Sequence, residues 1–182
     1  GQGTPPSAGL YLIDRPGAPQ SLILMGTVAP PRRPGPDVAQ EVMNTILGGQ
    51  FTSRLNMNLR EEKHWSYGAR TVLLGTSGPR PYLGFAPVQS DKTAEALAEF
   101  TRELRGIRGE RPVTADELHA AQSNLTLSLP GQWETARAVA GSIGEIVRFR
   151  LGDDYFAGYA DRVRAVTLAD DLSLIHISEP TR

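Results

Sequence analysis

Apolar residues first cluster in two short runs, Leu10-Tyr11-Leu12-Ile13-Asp14 and Gln20 to Val28, separated by the turn sequence Arg15-Pro16-Gly17-Ala18-Pro19. Runs of this length, rich in Leu and Ile and bounded by Pro and Gly, predict two strands. Pro30, Pro31, Pro34 and Pro36 end the second. From Asp37 the spacing becomes helical: Val38, Val42, Met43, Ile46 and Leu47 predict a helix over 37–48, with Gly48-Gly49 as its C-cap. Thr52 or Ser53 is placed to cap a second helix that runs through Leu55 and Leu59 to Lys63. Tyr67–Leu74 and Tyr82–Val88 then read as two more strands, joined in hairpin fashion across Gly75-Thr76-Ser77-Gly78-Pro79.

The rest of the pattern is helical. Ala94, Leu97, Phe100, Leu104 and Ile107 make one stripe, and Thr114 to Glu117 has the form of a capping box opening a helix through Leu118, Ala121 and Leu125. Pro130-Gly131 is expected to break that helix. Trp133, Ala136, Ala140, Ile143 and Val147 form a third stripe, Trp133 serving in the core or as a staple at the helix start; Phe156, Tyr159, Val163 and Val166 form a fourth. Strands and helices come in blocks, not in strict alternation. That order predicts an α+β domain, a mainly antiparallel sheet covered on one face by helices, over a doubly wound nucleotide fold. No internal repeat is visible.

The ends stand apart. Residues 1–8, rich in Gly, Pro and small polar residues, are expected to be a linker, with the domain over 9–171. Residues 172–182 carry no helical stripe and resemble a peptide that arises when sequencing-adapter DNA is translated, which makes them a non-native tail; a genuine strand and tail is the alternative. The first residue is Gly1 and no charged n-region with an apolar h-region follows, so an internal piece of something longer is expected.

Composition narrows the chemistry. The 182 residues are 40% hydrophobic and 21% charged, enough for one domain to bury a core without staples. A net charge of -1 gives no broad electrostatic footprint for nucleic acid or an anionic membrane, and no apolar run approaches the roughly 18 residues of a membrane span. Zero Cys removes disulfides, thiolate nucleophiles and Cys-ligated metals. His64, His119 and His176 are far apart, so neither His-Glu-x-x-His nor its inverse His-x-x-Glu-His is present, and His119 is expected on the surface. Nor is there a nucleophile elbow or a phosphate loop: Gly75-Thr76-Ser77-Gly78 reads as a turn, and Gly48-Gly49 follows a helix where a P-loop would follow a strand. Arg102, Arg105, Arg108 and Arg111 beside Glu103 and Glu110 predict a solvated helix face.

What remains is Leu47-Gly48-Gly49-Gln50-Phe51-Thr52-Ser53-Arg54-Leu55, followed by Leu59-Arg60-Glu61-Glu62-Lys63-His64-Trp65-Ser66-Tyr67-Gly68-Ala69. This segment resembles the signature of the C-terminal, zinc-free domain of the insulinase or pitrilysin family of metallopeptidases. The likeness extends through Asp14 to Ser21 before it, and through Val113-Thr114, Glu117-Leu118 and Asp154-Tyr155 after it. It implies that zinc is held by an inverted motif in an absent N-terminal or partner domain, that none is bound here, and that this domain closes over a peptide like the other half of a clamshell. Peptide would be gripped as an added strand along a sheet edge. Arg60 and Tyr67 match the family's Arg and Tyr that reach the substrate, and Gly48 and Gly49 match a Gly-rich loop that can touch it. Both chemistries are apt, since a hydroxyl or guanidinium can stabilise charge developing on a peptide carbonyl. Residue by residue the alternatives stay open: Arg60 paired with a carboxylate, Tyr67 packed at a strand edge, and the two glycines as a cap. His64 and Trp65 depart from the family's small residues, although His tolerates a positive φ better than most. The resemblance implies a chain that neither binds zinc nor cleaves peptides alone, with a zinc-bearing domain or subunit and a peptide substrate as partners, in the bacterial periplasm in preference to the cytoplasm. The other reading is a non-catalytic structural or partner subunit of a processing-peptidase-like assembly.

Overall fold

The ten residues Gln20–Ala29 form β1, and Ile23 and Ala29 turn inward while Leu22, Leu24 and Val28 turn outward, the period of two expected of a strand. Its partner is β3 (Arg80–Gln89), antiparallel, with Ile23 opposite Ala86 and Leu24 opposite Phe85. β2 (Arg70–Leu73) pairs antiparallel with the other edge of β3, giving the order β1-β3-β2. These elements belong to a computed structural model that describes residues 9–29, 31–32 and 36–170. The linker 1–8 and the tail 172–182 lie outside the described residues.

The helical period of Val38 and Val42 builds α1 (Pro36–Asn44), which passes into a π-helical turn over Thr45–Gly49. A second helix opens as α2 (Arg54–Asn56) and continues as a π-helical turn over Met57–Glu62. After β3 and a 3-10 turn at Ser90–Lys92 come α3 (Thr93–Gly106), α4 (Ala115–Leu127), the short α5 (Leu129–Gln132), α6 (Ala136–Phe149) and α7 (Tyr159–Ala165). The helices sit on the inward face of the sheet. Phe100 of α3 is fully buried there against Gly84, with Leu55, Leu59, Val38, Val42, Val88 and Val163 in the same core. Each such side chain contributes about 1.5–3 kcal/mol by leaving water. The α+β class and the single helical cover are therefore as the sequence pattern predicts.

Several local expectations are corrected. Leu10–Asp14 forms no strand: its apolar side chains are more than four-fifths exposed, and no described strand lies beside it to accept its backbone bonds. Ser53 stands at the start of α2 in extended backbone, yet its hydroxyl makes no capping bond and lies buried without a partner. α4 does end just before Pro130-Gly131, at Leu127, but these two residues belong to the separate short α5, where Pro is tolerated because first-turn amides have no partner to lose. In α6 the inward positions are Ala138, Ser142, Ile146 and Phe149; Ile143 and Val147 of the predicted stripe face solvent. Trp133 does pack against the core, meeting Phe156 edge-on at 5.7 Å and donating its indole N–H to the Ser142 hydroxyl at 2.9 Å.

The ionic contacts carry more of the architecture than the charge pattern suggests. Asp37 accepts from Arg32 at 2.5 Å and from Arg80 at 2.6 Å, and Arg32 also reaches Glu145 and the Tyr155 hydroxyl, both at 3.2 Å. This network ties the β1–α1 connection to the last helices. Beside it, Tyr159 donates to Glu41 at 2.7 Å, and burial pushes the Glu41 carboxyl above its usual range despite that bond. The expected solvated arginine face is only partly so, because Glu103 is buried and takes bonds from Arg111 at 2.6 Å and Asn58 at 2.7 Å.

Candidate functional site

The segment that carries the family likeness is held from both ends. At its start, Arg54 is buried and spreads its guanidinium over four acceptors: Glu117 through Nε at 2.6 Å and Nη2 at 2.7 Å, the Arg111 carbonyl at 2.5 Å and the Pro112 carbonyl at 2.9 Å. Glu117 is also the capping-box residue of α4, accepting from the Thr114 amide at 2.9 Å. Burial would raise its pKa, but the Arg54 and Thr114 bonds outweigh that and hold the carboxyl below the usual range. One turn on, Asn56 donates to the Phe51 carbonyl at 2.7 Å and accepts the Ala69 amide at 3.2 Å, so it ties the loop before the helix to the strand after it. Asn58 anchors the π-helical turn to α3 by donating to Glu99 and Glu103 at 2.8 and 2.7 Å.

Arg60 lies at the end of that turn and Tyr67 just beyond it. His64 takes φ 57°, the left-handed conformation that ends a helix, and its Nδ1 lies 3.0 Å from the Arg60 carbonyl oxygen. The Leu59 carbonyl then accepts from the Trp65 and Ser66 amides, and the Gln89 amide donates to the Trp65 carbonyl at 2.9 Å. Ser66 bridges to Val88, donates through its hydroxyl to the Pro87 carbonyl at 2.6 Å, and accepts the Gly68 amide at 3.1 Å. The backbone on both sides of Tyr67 is thus fixed. Its side chain is 84% exposed, and among the described residues no hydrogen bond or ring contact engages it.

Arg60 and Tyr67 line the same cavity of about 460 Å³, together with Pro19, Gln20, Glu61, His64, Trp65, Ser66 and Gln89. Arg60 is only partly engaged, with Glu61 3.2 Å from its Nε and the Phe51 ring 4.8 Å from its guanidinium carbon. So the carboxylate pairing expected of Arg60 does occur, with 42% of the side chain still exposed, whereas Tyr67 does not pack at a strand edge. Gly48 and Gly49 are not among the cavity's lining residues. They sit inside the π-helical turn, not at a left-handed cap, and close packing explains both. A side chain at Gly48 would collide with the Thr71 amide, and one at Gly49 would lie 2.9 Å from the Asn44 side-chain amide nitrogen.

Among the described residues no group of three His, Cys, Asp or Glu is gathered as a metal site, and His119 is exposed on α4. The described residues offer no ligand set that fits a zinc ion. No described helix is long and apolar enough to cross a membrane. The positioning residues Arg54, Asn56 and Asn58 were not singled out by the sequence pattern. For Asn56 and Asn58 the signal was two polar, poorly helix-forming asparagines set between Leu55 and Leu59, and Arg54 carried none.

The family model for the peptidase M16 inactive domain matches residues 3–125. This chain belongs to the peptidase M16 inactive-domain family. Solved structures share the fold of this M16 domain. The crystal structure of an M16 inactive domain from Pseudomonas fluorescens superposes with a TM-score of 0.85 at 20% identity, covering 95% of this chain and 41% of that one. The inactive peptidase domain of a candidate zinc protease from Bordetella parapertussis gives 0.72 at 21% identity, over 91% of this chain and 88% of that one. A chain of complex III2 from Candida albicans gives 0.71 at 13%, over 88% and 40%. The M16 domain thus spans about two fifths of the length of the Pseudomonas chain. Among curated proteins, none matches it.

Proposed function

We propose that this domain is the substrate-gripping, chamber-closing half of an M16 zinc metallopeptidase whose metal is carried by another domain or subunit. The observation that carries the reading is the shared cavity of Arg60 and Tyr67, one half-engaged and the other exposed on a braced backbone. A braced phenol with no partner of its own is suited to meet a group that arrives from outside. Zinc on the facing half would supply an activated water. The residues of this chain would bind the peptide, with the Arg60 fork holding a carbonyl and the Tyr67 hydroxyl donating to the oxygen on which charge develops. Gln20 and Gln89, paired at the end of the β1–β3 ladder and lining the same cavity, would add amide groups for peptide backbone. Gly48 and Gly49 would act at one remove, by letting the π-helical turn lie close to β2.

The test is reconstitution. With its zinc-bearing half the protein should hydrolyse an unstructured peptide, and this chain alone should neither cleave it nor retain zinc. Arg60→Ala should raise KM by about tenfold, the worth of one charge-assisted contact, with zinc content unchanged; an unchanged KM would remove Arg60 from the site.

A second reading, a non-catalytic partner subunit, is favoured by the likeness to the complex III2 chain and by the Glu61 partner that Arg60 already has. An assembly that stays intact but inactive when zinc is supplied would support it.

A further inference from the structure

The roles proposed for Arg60 and Tyr67 leave one large apolar side chain of their cavity unused, the indole of Trp65. Its backbone is fixed on both sides: the amide donates to the Leu59 carbonyl at 3.0 Å, and the carbonyl accepts the Gln89 amide at 2.9 Å. The ring is half-buried against the core and lines the cavity together with Pro19. An indole N–H in such a place ordinarily finds an acceptor. Among the described residues this one has none. The charges around the cavity decide what the ring can take. A basic side chain would meet Arg60 and also Lys63, whose Nζ stands 5.7 Å from the centre of the Trp65 ring and already supplies the cation that an aromatic face attracts. An acidic one would meet Glu61, which lies 3.2 Å from the Arg60 Nε and offsets its charge. An uncharged apolar side chain meets neither penalty and gains by leaving water, and an aromatic one gains further from ring–ring contact.

We propose that Trp65 is a specificity-determining residue of the candidate site: with Pro19 it forms a subsite for an uncharged aromatic side chain of the peptide, and its indole N–H is left for a backbone carbonyl of the same peptide. This rests on the proposed function in taking peptide hydrolysis as the reaction. The position of the subsite follows from the local backbone. Ser66 is bridged to Val88, so Trp65 and Tyr67 flank a residue in strand pairing and stand roughly 7 Å apart at strand rise. An extended peptide covers that distance in two residues. The aromatic side chain therefore lies within two residues of the carbonyl that Tyr67 addresses. A cavity of about 460 Å³ falls within the roughly 300–1,000 Å³ of small-ligand pockets, so it has room for one such side chain and the backbone that carries it.

The test uses the protein assembled with its zinc-bearing half and two peptides of Gly, Ser and Ala that differ at one position, Phe in one and Ala in the other. The kcat/KM for the Phe peptide should exceed that for the Ala peptide by at least about tenfold, the lower end of what an apolar pocket discriminates. Mass spectrometry should place the cut within two residues of the Phe. Trp65→Ala should remove most of that preference. Because Trp65 also packs against the core, Trp65→Leu, which keeps apolar volume there, is made beside it and should lower the preference as well. The ratio of the two peptides is taken on one sample, so the folded fraction cancels, and a purely structural tryptophan would leave it unchanged. Trp65→Phe, which returns a ring, should restore much of it. Peptides with Asp or Lys in place of the Phe should be cut no faster than the Ala peptide. Equal wild-type values for the Phe and Ala peptides would overturn the subsite, as would a ratio that Trp65→Ala and Trp65→Leu leave unchanged; cleavage of both peptides would in either case leave the proposed function standing. A zinc-loaded assembly that cuts neither peptide removes the proposed function instead, and the affinities of the same two peptides, fluorescently labelled and read by polarisation, then decide the subsite, with equal affinities overturning it.

Discussion

Arg54→Met should destabilise the fold by about 3 kcal/mol, because it severs the brace that sets the helix bearing Arg60. The arginine side chain is 7% exposed and Glu117 is 31% exposed. Breaking a fully buried pair costs about 3–5 kcal/mol. Here Glu117 can regain water and keep its Thr114 bonds, which lowers the figure, while the Arg111 and Pro112 carbonyls each lose a donor, which restores part of it. Methionine fills most of the volume of the stem, so little cavity is added. In a domain of this size about 3 kcal/mol corresponds to a midpoint roughly 6–12 °C lower. The pH dependence separates this cause from simple loss of packing. The folded-state pKa of Glu117 is depressed, so its contribution is present above the unfolded carboxylate value of about 4.3 and is lost as pH falls through the lower folded value. The gap between wild type and Arg54→Met should therefore be widest near pH 7 and narrow below pH ~4. Urea unfolding at pH 7 and in acid measures both. A loss under about 0.5 kcal/mol, within the range of ordinary surface changes, or a gap that is constant with pH, would refute the reasoning.

Glu41→Gln should leave stability unchanged or raise it at neutral pH and flatten one limb of the pH profile. The raised folded-state pKa means that wild type loses stability as pH climbs from the unfolded carboxylate value through the folded one, and the amide can still accept from Tyr159; thermal scans between pH 4 and 8 would show it, and a large loss at pH ~8 would contradict it. Ser53→Ala should be neutral or stabilising by up to about 1 kcal/mol, the reverse of a working cap, because the buried hydroxyl has no partner; a loss of 1 kcal/mol or more in urea unfolding would show that it does.

The two long strands and the order of the helices were legible because they rest on local periodicity and caps, whereas the candidate site was indicated only by the family resemblance of Leu47 to Ala69. The Thr114 to Glu117 capping box formed as spaced, and His64 adopts the left-handed turn its position requires. Leu10–Asp14 shows the limit: strand residues make a strand only where another backbone is present to pair with them. α6 shows another. With apolar residues on nearly every side, periodicity cannot say which face turns inward, and tertiary contacts chose Ile146 and Phe149 over Ile143 and Val147. The glycine pair was read as a cap because Gly commonly ends helices, but here close approach to β2 and to Asn44 is what excludes a side chain. Arg54 and Asn58 escaped notice because their partners lie far off in sequence, Arg54 meeting Glu117 across 63 positions and Asn58 meeting Glu103 across 45.

The most direct measurement is the turnover of Tyr67→Phe in the protein assembled with its zinc-bearing half. Tyr67 is 84% exposed, so the lost hydroxyl should not disturb folding. If it stabilises the developing oxyanion, kcat should fall by roughly 10²–10³, with zinc content, assembly and KM close to wild type. Wild-type kcat in that variant would contradict the account.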